Sequence, residues 1–230
     1  MLYSWHVSAS ACPWQCVLEV VVNMLDKLLS VPLVAILRGI LPDEVEQVGL
    51  GLTDLGYRCI EVPLNSPEPL LSVERLANSM PEDVLVGAGT VVSVEQVEQV
   101  KKAGAGMVFS PNCDVDVIKA TKALGMVSIP GCATVSEAYH AINAGADALK
   151  LFPAQQLTPS VIKSIKEVLP VNVPLLAVGG IDASNMHAFL QVGVTGFGLG
   201  GALYRKGKAL DDVLRDGGEL LTSFKRSKND

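Results

Sequence analysis

The stretch VLVGAGTVVSVEQVEQVKKAGAGMVFS, residues 84–110, contains one copy of the unit from which most of the chain is built. It begins with an aliphatic run at 84–88, continues through a polar segment, and ends in a second aliphatic run at 107–110. Ser93 is a candidate N-cap for a helix in the polar segment, and Gly104 suits the left-handed residue that often ends a helix. The stretch therefore predicts a strand, a helix and a second, parallel strand.

Similar aliphatic runs occur on both sides of this stretch. Polar helical segments separate the eight runs, which are residues 33–37, 58–63, 84–88, 107–110, 126–130, 148–152, 175–178 and 196–199. A further helical segment follows the last run. Eight strand–helix units in succession predict an α/β fold, the (β/α)8 TIM barrel. The alternative is an open doubly wound sheet, which the sequence disfavours because Leu37 is followed by Arg-Gly-Ile rather than by a G-x-G-x-x-G turn.

The composition fits a domain built around a buried parallel sheet. Of the 230 residues, 49% are hydrophobic, 5% are aromatic and 18% are charged, so the apolar content is mainly aliphatic. The formal net charge of -6, without a basic run longer than Lys101-Lys102, argues against nucleic acid as a partner. Polar residues interrupt the apolar N-terminal stretch, and no later apolar run reaches the roughly 18 residues of a membrane span, so no membrane partner is expected.

The cysteines and histidines predict neither a disulfide framework nor a metal site. The five cysteines are an odd number without C-x-x-C spacing, and the three histidines are scattered. The first cation, Lys27, comes too late for the basic start of a secretory leader. We therefore expect a protein of the reducing cytoplasm.

The N-terminal residues divide into two predicted segments. Residues 1–13 carry no recognisable signal and are predicted to be a flexible tail, with Met24 as an alternative start. Apolar residues then recur at helical spacing behind Pro13, which predicts a helix over 14–29 that either closes the bottom of the barrel or joins subunits. Residues 14–230 are thus expected to form one domain, the barrel with its N-terminal helix.

Three charged residues stand out because they lie in or beside apolar runs. Lys150 is in the middle of residues 148–152, Glu61 is in the middle of residues 59–63, and Arg38 directly follows the first run. Barrel active sites lie at the carboxyl ends of the strands, and a polar strand residue is expected to face the barrel interior. Burial favours the neutral form of a lysine, and a neutral amine attacks ketones to form imines. The alternative is a buried ion pair or triad without chemistry.

Glycine pairs close the last two predicted strands. Gly179-Gly180 follows the seventh run and Gly200-Gly201 follows the eighth. Backbone N–H groups at such turns bind anions, and barrels often bind phosphate at these two positions. Thr90 ends the third run with a hydroxyl beside open backbone. These residues predict an anion site at the carboxyl end of the barrel.

The order and spacing of six motifs resemble the 2-keto-3-deoxy-6-phosphogluconate and -galactonate aldolases, a class I aldolase family with a small (β/α)8 fold. The resemblance covers residues 25–225 and rests on AILRG (35–39), IEVPLNSP (60–67), VGAGT (86–90), PGCAT (130–134), ALKLFP (148–153) and AVGG (177–180). It implies an enzyme that acts on a phosphorylated keto acid, forms a homotrimer and needs neither a metal nor an organic cofactor, since the substrate is held as an imine.

The resemblance also implies a role for each candidate residue. Lys150 forms the Schiff base with the C2 carbonyl, and Glu61 transfers protons. Arg38 and Thr90 hold the substrate carboxylate, and Phe152 lines the imine. The phosphate is expected at Gly179, Gly180, Gly200 and Gly201. The last of these replaces an expected serine, so the phosphate contacts there are expected to come from the backbone.

Three stretches resemble the phosphogalactonate branch of the family more than the phosphogluconate branch: LNS (64–66), SPN (110–112) and VGG (178–180). Val178 replaces a threonine hydroxyl that would contact the C4 oxygen, at which the two sugar acids differ. The implied reaction is cleavage of 2-dehydro-3-deoxy-6-phosphogalactonate to pyruvate and D-glyceraldehyde 3-phosphate in galactonate catabolism. Phosphogluconate specificity or dual specificity is the alternative within the family.

Two further alternatives keep the fold and change the function. One is a non-catalytic phosphosugar-binding barrel in which Lys150 is paired statically with Glu61. The other is a phosphosugar epimerase, which yields inverted sugar phosphates instead of pyruvate.

Overall fold

The computed structural model describes residues 24–229. The predicted tail at 1–13 and the first part of the predicted helix, residues 14–23, lie outside the described residues. Within the described part, the sheet contains nine parallel strands, which are Leu33–Ile36 (β1), Cys59–Pro63 (β2), Leu85–Gly89 (β3), Met107–Phe109 (β4), Val127–Ile129 (β5), Gly131–Cys132 (β6), Leu149–Leu151 (β7), Leu175–Val178 (β8) and Gly196–Leu199 (β9).

The sheet closes on itself at Pro130. The strand order begins at β5 and ends at β6, and these two strands are consecutive in the chain. The Ser110 N–H donates to the Ile129 carbonyl (3.2 Å) on one side, and the Lys150 N–H donates to the Pro130 carbonyl (2.9 Å) on the other. The TIM-barrel prediction is therefore confirmed. The single strand predicted at 126–130 is wrong in detail, because a proline without an N–H divides it into β5 and β6.

In the described part of the chain one helix precedes the first strand, and eight helices lie between and after the strands on the outside of the barrel. They are residues 24–30 (α1), Pro42–Leu55 (α2), Pro69–Ser79 (α3), Val94–Lys102 (α4), Val115–Ala123 (α5), Val135–Asn143 (α6), Pro159–Val168 (α7), Met186–Gln191 (α8) and Leu210–Asn229 (α9). In α4 the predicted caps are confirmed, since the Ser93 side chain accepts from the Gln96 N–H (3.3 Å) and Gly104 has a φ of 91°. None of the helices in residues 24–229 has the length and apolarity that a membrane crossing requires.

The barrel interior has an apolar end and a polar end. Leu28 of α1 is fully buried against inward-facing residues near the starts of the strands, among them Val34, Cys59 and Leu85. The described part of the N-terminal helix thus closes the amino end of the barrel, which is the first of its two predicted roles. The polar residues predicted to form the site lie toward the carboxyl end of the barrel.

Candidate active site

Lys150 is the middle residue of β7, and its side chain points into the barrel. Its neighbours Leu149 and Leu151 pack outward in the core cluster beneath the helices. The residue is only 5% exposed, and its Nζ lies 4.5 Å from the centre of the Phe109 ring and 4.7 Å from that of Phe152. Across residues 24–229, no carboxylate oxygen lies within 4.0 Å of this Nζ. The amine is therefore buried without a fixed ion pair.

Glu61 is the middle residue of β2, as Lys150 is the middle residue of β7. The residue is 1% exposed, and its Oε2 accepts no hydrogen bond from any described residue. Gly89 of β3 provides the space for this carboxylate, because a Cβ on Gly89 would lie 2.2 Å from Oε2 and 2.5 Å from Oε1. We call Lys150 and Glu61 the floor of the site.

Burial is the dominant influence on the ionisation of both floor residues. Desolvation raises the pKa of Glu61 to about 7, although the positive charges of Lys150 and Arg38 and a hydrogen bond from the Gly89 backbone oppose the shift. Desolvation lowers the pKa of Lys150 to about 8; the Glu61 carboxylate opposes this shift and Arg38 adds to it. Near neutral pH a fraction of the Lys150 amine, far larger than for an ordinary lysine, is therefore neutral, and the Glu61 carboxyl group exchanges protons.

A cavity of about 850 Å³ opens at the carboxyl end of the strands. It brings together all the residues that the sequence predicts to bind substrate: Arg38, Thr90, Phe152, Gly179, Gly180, Gly200 and Gly201. The Lys150 amine lies against one of these side chains, Phe152. Lys150 and Glu61 are not themselves among the lining residues, but the Lys150 amine lies behind the Phe152 wall and interacts electrostatically with Glu61.

Arg38 is held at the mouth of this cavity by the loops after β1 and β2. Its Nη1 donates to Asn65 Oδ1 (2.6 Å), and the neighbouring Gly39 N–H donates to Ser66 Oγ (2.9 Å). The side chain is exposed, so Arg38 does not form a buried triad with the two floor residues. It acts on both of them through its charge and leaves its other N–H groups available at the mouth.

Thr90 lies beside the cavity in a strained backbone conformation. Its φ of 58° is in the left-handed region, which is unfavourable for a β-branched residue. Its N–H donates to the Phe109 carbonyl (3.1 Å), which fixes the turn immediately after β3. Such strain is concentrated at binding and catalytic sites.

The part of the mouth that follows β8 and β9, the strands next to β1 in the barrel, is formed largely by backbone, and we call Gly179, Gly180, Gly200 and Gly201 the glycine rim. Gly179 and Gly180 have φ values of 103° and 68°, which only glycine adopts readily. A Cβ on Gly200 would meet no atom within 4 Å, so the cavity is open at that point. At Gly200 the backbone is therefore directly accessible to a bound molecule, as it is in anion sites.

The side chains of the described residues do not form a metal centre. No group of three or more His, Cys, Asp or Glu side chains in residues 24–229 is arranged to hold a metal ion. An acidic organic molecule fits the arginine and the glycine rim better than a metal does.

Comparison with known proteins identifies the family. A family model described as KDPG and KHG aldolase matches residues 24–213. The chain belongs to this aldolase family. Among its relatives, the 2-dehydro-3-deoxy-6-phosphogalactonate aldolase of Escherichia coli (strain K12) is 38% identical over 199 residues, which are 86% of this chain and 97% of that protein.

Solved structures of the family agree with the fold of this aldolase. A structure described as native KDPGal has a TM-score of 0.85 and 37% identity, covering 86% of this chain and 97% of that one. A KDPG aldolase from Legionella pneumophila has a TM-score of 0.74 and 25% identity, covering 87% of this chain and 95% of that one. That protein was solved with pyruvate captured at low pH as a covalent carbinolamine intermediate.

Two polar side chains at the cavity of this aldolase were missed by the sequence analysis. With its amide oriented to pair both groups, Gln155 accepts from the Gly180 N–H and donates to the Gly179 carbonyl, each at 3.2 Å. Arg205 lines the cavity, and its Nε donates to the Gly201 carbonyl (2.9 Å). Both residues are exposed polar residues in loops, so their sequence signal is weak.

Proposed function

We propose that this protein is a class I aldolase that cleaves 2-dehydro-3-deoxy-6-phosphogalactonate to pyruvate and D-glyceraldehyde 3-phosphate. The observation that carries the proposal is the Lys150 amine, which is buried, free of an ion pair and adjacent to a cavity with an arginine and a glycine rim. The phosphogalactonate aldolase of E. coli supports the choice of substrate. The carbinolamine of the Legionella enzyme supports covalent chemistry with pyruvate.

The proposed reaction begins with the lysine. The neutral Nζ of Lys150 attacks C2 of the keto acid, and loss of water from the carbinolamine gives an iminium ion. A base removes the proton of the C4 hydroxyl, and the C3–C4 bond breaks. Its electron pair moves into the iminium ion, which becomes the enamine of pyruvate, while the three-carbon aldehyde phosphate leaves.

Glu61 completes the cycle in this proposal. It delivers a proton to C3 of the enamine, and water then hydrolyses the resulting imine to release pyruvate. A pKa raised to about 7 suits this role, because the group exchanges protons readily near neutral pH. The unbonded Oε2 is the atom available to a water molecule or to the substrate.

The two acidic ends of the substrate are assigned to two groups of residues at the mouth. Arg38 and Thr90 hold the carboxylate close to the floor, and charge-assisted hydrogen bonds from a guanidinium are among the stronger polar contacts. The phosphate lies at the glycine rim. Phe152 packs beside the imine and limits the access of water. Val178, at the end of β8, faces C4 without a hydroxyl, which favours the galactonate epimer.

Reductive trapping tests the covalent step. The protein is incubated with pyruvate and borohydride, and its peptides are analysed by mass spectrometry. We expect a reduced pyruvyl adduct on Lys150 that is absent from Lys150→Ala. A non-catalytic phosphosugar-binding barrel or a phosphosugar epimerase predicts no adduct, and that result would refute the aldolase.

Comparison of two substrates tests the specificity. Pyruvate release is measured with the phosphogalactonate and phosphogluconate substrates, which differ only at C4, and we expect faster cleavage of the first. Equal or reversed rates would contradict the branch assignment while leaving the aldolase reaction in place.

We further propose that the protein works as a homotrimer in the cytoplasm, as the family resemblance implies. Leu41, Leu50 and Val92 are exposed apolar side chains that a neighbouring copy would cover. Light scattering coupled to gel filtration measures the mass in solution, and a monomeric mass would contradict the trimer.

A further inference from the structure

We propose that Arg205 binds the phosphate group of the substrate and so replaces the side chain that Gly201 lacks. This assignment rests on the proposed function, since it concerns the phosphorylated end of the same substrate. It changes the expectation that the rim holds the phosphate by backbone groups alone.

The position of the guanidinium is the first argument. Arg205 lines the cavity together with all four residues of the glycine rim. Its Nε donates to the Gly201 carbonyl (2.9 Å), and a Cβ on Gly201 would lie 3.6 Å from Nε and 3.8 Å from Nη2. The charged group therefore lies directly beside the rim and is held there by the rim itself.

The free hydrogen-bond donors are the second argument. The Nε of Arg205 donates its hydrogen bond to the Gly201 carbonyl. Within residues 24–229, neither Nη atom donates a hydrogen bond, and no carboxylate oxygen lies within 4.0 Å of the guanidinium. A guanidinium fixed through one N–H, with two nitrogens left over, is suited to grip a tetrahedral anion.

The charges around the cavity are the third argument. Among the described residues, three charged side chains line it, namely Arg38, Asp182 and Arg205. Asp182 is occupied by its own loop, because Oδ1 accepts from the Ser184 N–H (2.8 Å) and from Ser184 Oγ (2.6 Å). The two arginines thus provide one cation beside the floor and another at the glycine rim. A chain with a carboxylate at C1 and a phosphate at C6 offers one anionic end to each of the two arginines.

The direction in which such a chain binds matters for catalysis. Arg38 acts electrostatically on both floor residues, so the end of the substrate that it holds is the end whose C2 carbonyl meets Lys150. A phosphate held at Arg205 keeps the other end away from the floor. Arg205 is therefore a binding residue that also selects substrates carrying a phosphate.

The test uses the synthetic direction of the reaction with two aldehydes. Pyruvate is combined with D-glyceraldehyde 3-phosphate or with unphosphorylated D-glyceraldehyde, using the wild type, Arg205→Ala, Arg205→Lys and Lys119→Ala. Lys119 is an exposed cation of α5 outside the cavity and controls for the loss of one positive charge.

For Arg205→Ala we expect KM for the phosphorylated aldehyde to rise about ten- to a hundredfold, with kcat changing much less. KM for glyceraldehyde stays unchanged. Inorganic phosphate, used as an inhibitor, binds Arg205→Ala less tightly by a similar factor, and Arg205→Lys recovers part of the loss. Lys119→Ala behaves like the wild type.

Equal effects of Arg205→Ala on both aldehydes, or no effect on either, would overturn this assignment. Borohydride trapping of pyruvate on Lys150 is measured in parallel. If the wild type forms no adduct, the proposed function fails. If the adduct forms and the two aldehydes still respond alike, the assignment of Arg205 alone is wrong.

Discussion

At the floor of the site the reactive groups are two side chains, Lys150 and Glu61, that are almost completely buried. At the glycine rim they are backbone groups and an exposed arginine, open to a cavity of about 850 Å³. The floor gains its chemistry from desolvation, which shifts both pKa values toward neutrality. The rim can bind an anion because its glycines have no side chains, so that an anion can approach the backbone.

This difference predicts unequal sensitivity to mutation. Electrostatic interactions at a buried site are strong because little water screens them, whereas those at an exposed site are weakened by solvent and salt. Changes at the floor are therefore expected to alter kcat by large factors. Changes at the rim are expected to alter KM by smaller ones.

The largest effect is expected for Lys150→Ala. Removing the nucleophile abolishes imine formation, so kcat for pyruvate release falls by at least about a thousandfold. Lys163→Ala, at an exposed position of α7, is the matched control and keeps wild-type activity. Activity is followed by a coupled assay for pyruvate, and unfolding temperature is measured for both variants. Residual cleavage within tenfold of the wild type would contradict covalent catalysis by this lysine.

A second comparison uses two glycines, one beside the floor and one in the rim. A Cβ on Gly89 would displace the Glu61 carboxylate, so Gly89→Ala is expected to lower kcat about a hundredfold while Lys150 still forms the trapped adduct. A Cβ on Gly200 enters open space, and Gly200→Ala is expected to raise KM by only severalfold.

The control for both glycine variants is Gly218→Ala in α9, where a Cβ would lie 3.9 Å from the nearest atom of Leu55. Steady-state kinetics separate kcat from KM, and circular dichroism checks folding. If Gly200→Ala lowers kcat as much as Gly89→Ala does, the two regions do not differ as proposed.

Both floor residues are predictable from the sequence, because side chains along a buried strand alternate between the inside and the outside of the barrel. Lys150 and Glu61 each interrupt an apolar run at an inward-facing position, and ionised groups rarely occupy such positions without a task. The strand break at Pro130 was not predicted, because the apolar pattern continues through it. A proline within a predicted central strand was the available warning.

The rim is predictable only in part. The glycine pairs are visible in the sequence, whereas Arg205 and Gln155 look like any exposed loop residues. Their positions depend on the conformation of the loops after β9 and β7. Hydrogen bonds to backbone groups of the rim hold both side chains in place, and no local sequence pattern indicates such bonds. The space that Gly89 leaves for Glu61 is likewise a contact between two strands, so it becomes visible only once the register is known.

An intermediate effect is expected at Val178, which lies between the floor and the rim. Val178→Thr keeps the shape of the side chain and replaces a methyl group with a hydroxyl, so the ratio of kcat/KM values is expected to shift about tenfold toward the phosphogluconate substrate. Val171→Thr, at a position that is 91% exposed, is the matched control. Both substrates are assayed by pyruvate release. An unchanged ratio would show that specificity at C4 resides elsewhere.

The smallest expected effect is a shift in the pH dependence of Lys150. The ionised Glu61 carboxylate stabilises the ammonium form and thus raises the pKa of Lys150, opposing desolvation, which has brought it to about 8 from an ordinary value of 10.5. Glu61→Gln removes that negative charge, so the pKa of Lys150 is expected to fall below 8 and the neutral fraction at pH 7 to rise severalfold.

The pKa is measured by NMR titration of protein labelled with 13C at the lysine ε-carbons, and the Lys150 signal is assigned by its loss in Lys150→Ala. Glu98→Gln, an exposed change on α4, leaves the titration unaltered. A midpoint near 10.5 in the wild type, or one that rises in Glu61→Gln, would mean that the floor is not a desolvated, electrostatically coupled pair, and its contrast with the rim would then have another cause.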